Sequence, residues 1–322
     1  MTVDIVCLGE LLVDMFPAEL GRSLAEVSAF RPKPGGAPAN VAVAAVRLGA
    51  SSAFIGKVGD EAFGHHLAQV LAQEGVETRG MRYDPDARTG LAFIAMPDEN
   101  TSEFLFYRNP GADMLLREEE LDRSLLQEAR AFHFGSISLI QEPSRSATLE
   151  AARIARQAGA LISFDVNYRP TLWGTPAEAR ERIASTVPQV DLLKVNEGEL
   201  ALLTGSDDLD AGSRSLLGSG PALCVVTLGP DGSYFRVAGG GGHVPAFAVR
   251  TVDATGCGDA YLAGLLCQLV RGEWREQLVP SRMRDILRYA NAVGALTSLT
   301  QGVIPALPTA AEVEEFLAER GE

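Results

Sequence analysis

Basic residues are scarce in this chain: 28 Lys and Arg stand against 42 Asp and Glu, a net charge of −14 over 322 residues. A surface of that sign argues against nucleic acid or an anionic membrane as the main partner. Any phosphate site must then be built locally, from backbone N–H groups and a few cations. Cysteines number four and none makes a CxxC pair. Cys7, Cys224 and Cys267 lie in apolar runs and read as small core residues, which fits a reduced, cytoplasmic setting. No apolar run approaches a membrane span, and no basic stretch precedes the first strand-like run. The four histidines, His65, His66, His133 and His243, lack metal-ligand spacing. There is no GxxxxGK[ST] loop, no GxGxxG with a downstream acid, no HExxH and no GxSxG. Those absences exclude a P-loop kinase, a typical dehydrogenase, a zincin and an ordinary α/β hydrolase.

What is present is ordinary in bulk: 46% hydrophobic and 22% charged residues, enough to bury a large core. Apolar strand-like runs at 5–8, 52–55, 131–134, 161–165, 192–195 and 223–228 alternate with helical patterns at 39–48, 63–74, 143–158, 176–187, 197–204, 261–270, 283–300 and 310–319. That rhythm predicts a mainly parallel sheet covered on both faces, with ligands at the carboxyl ends of the strands. Two stretches break it. Residues 12–31 and 89–109 alternate apolar and polar side chains without adjacent helices, and 91–96 with 103–107 reads as a hairpin turned at 97–100. These pieces read as a small separate sheet, a lid that also offers a face for a second copy, or else as surface hairpins. The glycines at 239–242 read as a flexible loop.

The most informative motif is Asp253, Ala254, Thr255, Gly256, Cys257, Gly258 and Asp259, directly before a helical run. Glycines there let backbone N–H groups converge at a positive helix end, an anion cradle. A carboxylate inside such a cradle suits a base that deprotonates a hydroxyl attacking a bound phosphate. An Asp N-cap accounts for the same residues. Gly35, Gly36 and Asn40 open an Ala/Val-rich helix, as a ligand-facing loop or a tight turn. Asp14, taken to lie at the end of the first strand, suits vicinal hydroxyls or a solvated turn. The cluster Asp165, Asn167, Tyr168 and Arg169 follows a strand, as does the cluster Lys194, Asn196 and Glu199. The last pair, at i and i+3, fits either water around Mg²⁺ or a capping box. Thr227, Gly229 and Gly232 fit a nucleotide or a plain β-turn. Arg108 and Asn109 end the lid hairpin, within reach of a substrate or simply exposed.

Taken with Lys57-Val58-Gly59-Asp60 and Gly64, these blocks resemble the ribokinase, or phosphofructokinase-B-type, carbohydrate kinases over nearly the whole chain. Within that family Gly9–Asp14 and the run at 106–114 resemble fructokinases, whereas 167–170 with Leu172-Trp173 is shared with 2-keto-3-deoxygluconate kinases. The resemblance implies a Rossmann-like α/β/α core over 1–322 with an inserted β lid used for a homodimer. It implies ATP-dependent phosphorylation of the 6-hydroxyl of D-fructose. Asp259 would be the base, and the N–H groups of Gly256, Cys257, Gly258 and Asp259 the anion hole. Asp14, Gly36, Asn40, Arg108, Asn167 and Arg169 would line the sugar pocket. Lys194, Thr227, Gly229, Gly232 and Asn291 would serve the nucleotide. Asn196 and Glu199 would serve Mg²⁺ through water, and Asp253 and Thr255 a K⁺ ion. Cys257 stands where many relatives have Ala; a thiol at a helix N-terminus is expected to have a lowered pKa, so that alkylation blocks turnover and ATP protects. Competing readings are a 2-keto-3-deoxygluconate kinase, with Arg169 on the acid's carboxylate, and a catalytically silent sugar-binding homologue.

Overall fold

In β1 (Val3–Leu8) successive side chains belong to different cores: Ile5 and Cys7 to one, Val6 and Leu8 to the other. Side chains of a strand alternate faces, so a strand apolar throughout must be covered on both sides. The computed structural model, which describes residues 2–19, 21–98 and 103–321, shows how that is done. The remaining strands are β2 (Leu12–Pro17), β3 (Phe30–Gly35), β4 (Ser52–Gly59), β5 (Glu77–Asp84), β6 (Leu91–Ala95), β7 (Glu103–Tyr107), β8 (Ala129–Gly135), β9 (Leu161–Asp165), β10 (Leu192–Asn196), β11 (Leu223–Thr227), β12 (Ser233–Val237) and β13 (Gly240–Val244). The helices are α1 (Ala37–Arg47), α2 (Ala62–Gln73), α3 (Arg123–Glu128), α4 (Ser144–Gln157), α5 (Pro176–Thr186), α6 (Glu197–Thr204), α7 (Leu209–Leu217), α8 (Cys257–Leu269), α9 (Pro280–Thr297) and α10 (Ala310–Glu319).

Nine strands form one sheet in the order β13-β12-β11-β10-β9-β8-β1-β4-β5. All its pairs are parallel except β11/β12 and β12/β13. One face is buried under α1, α2, α8, α9 and α10, the other under α3 to α7. The chain places β4 and β5 on one side of β1 and returns to β8 on the other, so the topological switch point lies at the carboxyl end of β1. Four strands make a second sheet, β3-β2-β6-β7. The α/β/α core and small separate sheet are those expected.

Four details differ from the sequence reading. Asp14 is not at the end of the first strand; it is in the middle of β2, on the lid, because the chain turns at Gly9–Leu11 into the small sheet. The glycines at 239–242 are not a loop but run into β13, an edge strand paired to β12. The penultimate helix starts at Pro280 rather than 283. β5, α3 and α7 had no clear apolar pattern; β5 is an edge strand whose outer residues are charged. Residues 99 and 100 of the expected lid turn lie outside the described residues.

Candidate active site

A cleft of about 1230 Å³ opens between the carboxyl ends of the strands and the lid. Its floor is the N-terminus of α8. Gly256 adopts φ 77°, and a Cβ there would stand 2.3 Å from Val303 Cγ1, so only glycine makes this turn. No side chain caps α8. The Cys257 N–H donates to the Ala254 carbonyl at 3.2 Å, so of the expected anion hole this group is already engaged, whereas the Gly258 and Asp259 N–H groups have no acceptor among the described residues. An uncapped helix start of this kind attracts anions.

Asp259 follows in the first turn, buried at the cleft wall. Its Oδ2 accepts a 2.8 Å hydrogen bond from Asn40 Nδ2. Burial raises its pKa to about 6; the Asn40 bond opposes that rise, the charge of Asp165 adds to it, and Lys194 and Arg169 counter it. A carboxyl tuned to that range is suited to proton abstraction near neutral pH.

β9 and β10 place Asp165 beside Lys194 in register, and the two form a buried ion pair at 2.7 Å. Burial alone would lower the Lys194 pKa, but the charges of Asp165, Glu199 and Asp259 outweigh it and raise it. Its Nζ lies 3.4 Å from where a Gly258 Cβ would be, so a permanent cation faces the anion cradle. Asp165 Oδ1 has no partner.

Asp14 reaches the cleft from the lid strand. Its carboxylate lies against Gly35, where any Cβ would be 2.0 Å from Oδ2. Burial raises its pKa to about 7, and Asp259 and Glu10 add to the rise. Gly36, Asn40, Asn167 and Arg169 also line the cleft. Asn167 holds φ 38°, in the left-handed region that Asn tolerates better than most residues. The roof comes from alternate residues of the lid hairpin, Ala92, Ile94, Phe104 and Phe106, while Phe93 and Tyr107 stack edge-to-face on its far side.

Other expected site residues are placed differently. Arg108 does not line this cleft: it is buried and ion-paired with Asp113, behind Glu10, because the chain at 108–113 folds back under the lid hairpin. Thr227, Gly229 and Gly232 lie outside the cleft, Thr227 at the end of β11 and the glycines in the β11–β12 turn, where Gly232 has φ 99° and a Cβ would meet the Val244 carbonyl oxygen at 2.2 Å. Asn291 is spent on the fold, donating to the Val244 and Pro245 carbonyls at 3.1 Å each and accepting from Ser233. Asn196 and Glu199 close a capping box on α6, and the second Glu199 oxygen accepts from Tyr168 N–H at 2.6 Å. Asp253 holds the Thr255 and Gly302 N–H groups, both at 2.9 Å. The expectation of a reactive Cys257 is overturned: burial and the charges of Asp253 and Asp259 push its thiol up to about 12. Lys57 and Gly64 are structural, Lys57 bridging Asp84 and Glu120 and Gly64 packing on the Gly59 carbonyl. Among the described residues no cluster of three His, Cys, Asp or Glu could hold a metal ion.

Sequence reasoning singled out no role for Glu10 or Arg250, both of which line the cleft, and placed Asp165 only at a strand end. Glu10 directly follows β1 at the switch point, which was the available signal.

A family model described as pfkB family carbohydrate kinase matches residues 3–310. The chain belongs to the pfkB family of carbohydrate kinases. It is 48% identical over 315 residues to probable fructokinase-6, chloroplastic, of Arabidopsis thaliana, covering 97% of this chain and 82% of that protein. Among solved structures, fructokinase of Xylella fastidiosa with bound ATP is 34% identical with a TM-score of 0.92, covering all of both chains. Fructokinase of Vibrio cholerae O395 bound to fructose, ADP and calcium ion is 32% identical with a TM-score of 0.88, covering 98% of this chain and 99% of that one.

Proposed function

We propose that this pfkB-family kinase transfers the γ-phosphoryl group of ATP to the 6-hydroxyl of D-fructose, giving D-fructose 6-phosphate and ADP. The observation that carries the chemistry is Asp259 at the uncapped start of α8, hydrogen-bonded by Asn40 in the cleft under the lid. The sugar assignment is supported by relatives at 46–48% identity that are named fructokinases.

In this reading fructose lies between Asp14 and Asn40, under the apolar roof. Asp259 takes the proton from the primary hydroxyl as its oxygen attacks the γ-phosphorus. The free N–H groups of Gly258 and Asp259 and the Lys194 ammonium stabilise charge on the transferring group, which is most of what phosphoryl transfer asks of a protein. Arg169 orients the sugar from the far wall. Closure of the lid excludes water and suppresses ATP hydrolysis. Gly256 shapes the cradle; Thr227, Gly229 and Gly232 form a turn that an adenosine moiety would pass. A divalent cation, Mg²⁺, would neutralise charge on the ATP phosphates; Asp165 Oδ1, without a partner among the described residues, is the kind of oxygen donor it prefers, while Glu199, whose oxygens already accept the Asn196 and Tyr168 N–H groups, would reach it only through water. Asp253 and Thr255 offer the hard oxygen donors that suit K⁺. The outer lid face, where Leu105 and Tyr107 are exposed, suits a homodimer. No helix among the described residues is long and apolar enough to cross a membrane, and the cysteine usage fits the cytoplasm.

ADP release by the purified protein with ATP, Mg²⁺ and K⁺ tests the reading. Fructose should support turnover, and ribose or no sugar should not. Preference for 2-keto-3-deoxygluconate would keep the kinase chemistry and move the specificity to Arg169.

A further inference from the structure

α1 begins at Ala37 after Gly36 at the N-cap position, where no side chain is present to cap it. The missing cap is supplied from 27 residues away. Glu10, at the switch point after β1, is 3% exposed, and its Oε1 accepts the Ala37 N–H at 3.0 Å. Gly36 lies flat against it, since a Cβ there would be 2.3 Å from the Glu10 carbonyl oxygen. One turn further along, the Asn40 N–H donates to the Gly36 carbonyl at 2.9 Å, and the Asn40 side chain reaches Asp259. A continuous chain of contacts therefore runs from Glu10 through the first turn of α1 to the base. Among the described residues Glu10 Oε2 has no hydrogen-bond partner, and neither do Arg108 Nε and Asp113 Oδ1. Buried polar groups left open in this way are costly unless they serve a purpose.

We propose that Glu10 is a positioning residue for phosphoryl transfer: by capping α1 from outside the helix it fixes Asn40 against Asp259. The inference rests on the kinase reading above. Glu10 feels opposed charges, Arg108 favouring its anion and Asp113 and Asp14 opposing it. Burial raises its pKa to about 7, so the anion that best caps the helix is fully developed only above neutrality. A buried acid is a costly way to cap a helix, and a distant residue serves because a Ser or Asp at position 36 would need φ 113° and would clash with the Glu10 backbone.

The test compares Glu10→Met with Glu10→Gln. Met keeps the bulk and leaves the Ala37 N–H unsatisfied; Gln keeps an oxygen acceptor. With fructose and saturating ATP, Glu10→Met should lose about 10²-fold in kcat, the cost of a small misplacement at a reacting centre. Glu10→Gln should recover to within several-fold of wild type. Glu10→Met should also shift the acid limb of the kcat profile to higher pH, because the Asn40 bond that favours ionised Asp259 is weakened. Asp165, Asp14, Lys194 and Arg169 also face Asp259 and are unchanged in both variants, so they cannot cause a difference between them. If Glu10→Met does not fold, Glu10→Asp, too short to reach Ala37, takes its place with the same expectation. Equal loss in both variants, an unmoved acid limb or near-wild-type turnover of the Met variant would overturn the role of Glu10. Absence of sugar-dependent turnover in the wild type would instead overturn the kinase reading on which it rests.

Discussion

The cleft and the neighbouring region expected to serve the nucleotide handle polar side chains in opposite ways. At the sugar end, Asp14, Asn40 and Asp259 face the cavity, with Asn40 and Asp259 joined by one hydrogen bond and Asn40 Oδ1 still free. Outside the cleft, Asn291, Asn196 and Glu199, the side chains expected to serve the nucleotide and its metal, are spent on the protein itself, bracing β13 and capping α6. The Gly258 and Asp259 N–H groups and Lys194 are what the cleft offers an anion. On the proposed function, the difference follows from the ligands. A sugar offers hydroxyls, each read by a directional side chain, whereas a triphosphate offers charge, which a helix start and one cation satisfy.

The comparison predicts that side-chain removal is catalytic in one region and structural in the other. The largest effect belongs to Asp259→Asn, which should lower kcat by roughly 10²–10⁴-fold, the usual share of a general base, while binding both substrates. Near-normal turnover would break the comparison at its strongest point. Asp14→Asn should raise the fructose KM by roughly 10–100-fold through loss of a charged hydrogen bond. The same change should raise the melting temperature at pH 8. The Asp14 pKa is raised to about 7 in the folded state, so its ionisation disfavours folding above its ordinary carboxylate range and most fully above pH 7. A fall in stability at pH 8 with an unchanged KM would reverse its role. Asn291→Ala should cost about 1–3 kcal/mol of stability by orphaning the Val244 and Pro245 carbonyls. Denaturation would read that loss, and the ATP KM should stay within several-fold; a large rise in KM would move Asn291 into the nucleotide site. The smallest effect is expected at Cys257. With its thiol pushed up to about 12, iodoacetamide at pH 7 should label it slowly, as followed by mass spectrometry with and without ATP.

Much of the sugar end was legible in the sequence. Asp259 is announced by glycines before an apolar helical run, and Asn40 by the Gly35-Gly36 loop. Both motifs are local, and local geometry fixes what they do. Asp14 was placed on the wrong element, since nothing in a six-residue strand tells which of two sheets it joins. The i, i+3 spacing of Asn196 and Glu199 left a capping box and a water-mediated metal site both open; the fold shows the capping box, because only the fold decides where their oxygens go. Arg108 looked free because its partner Asp113 follows a turn whose course cannot be read from composition. Glu10 was passed over because its partner is a backbone N–H 27 residues away. Contacts of that length come from topology, and topology was visible only as an alternation of strands and helices.

The pH dependence of kcat for fructose phosphorylation, in the wild type and in Asn40→Ala, tests the central claim most directly. Ionised Asp259 is the active form, so kcat should fall as pH drops through about 6 in the wild type. Without Asn40 the acid limb should move to higher pH and the plateau should drop. A wild-type profile flat between pH 5 and 8, or a limb that stays in place in the variant, would contradict the assignment of Asp259 as the base that Asn40 tunes.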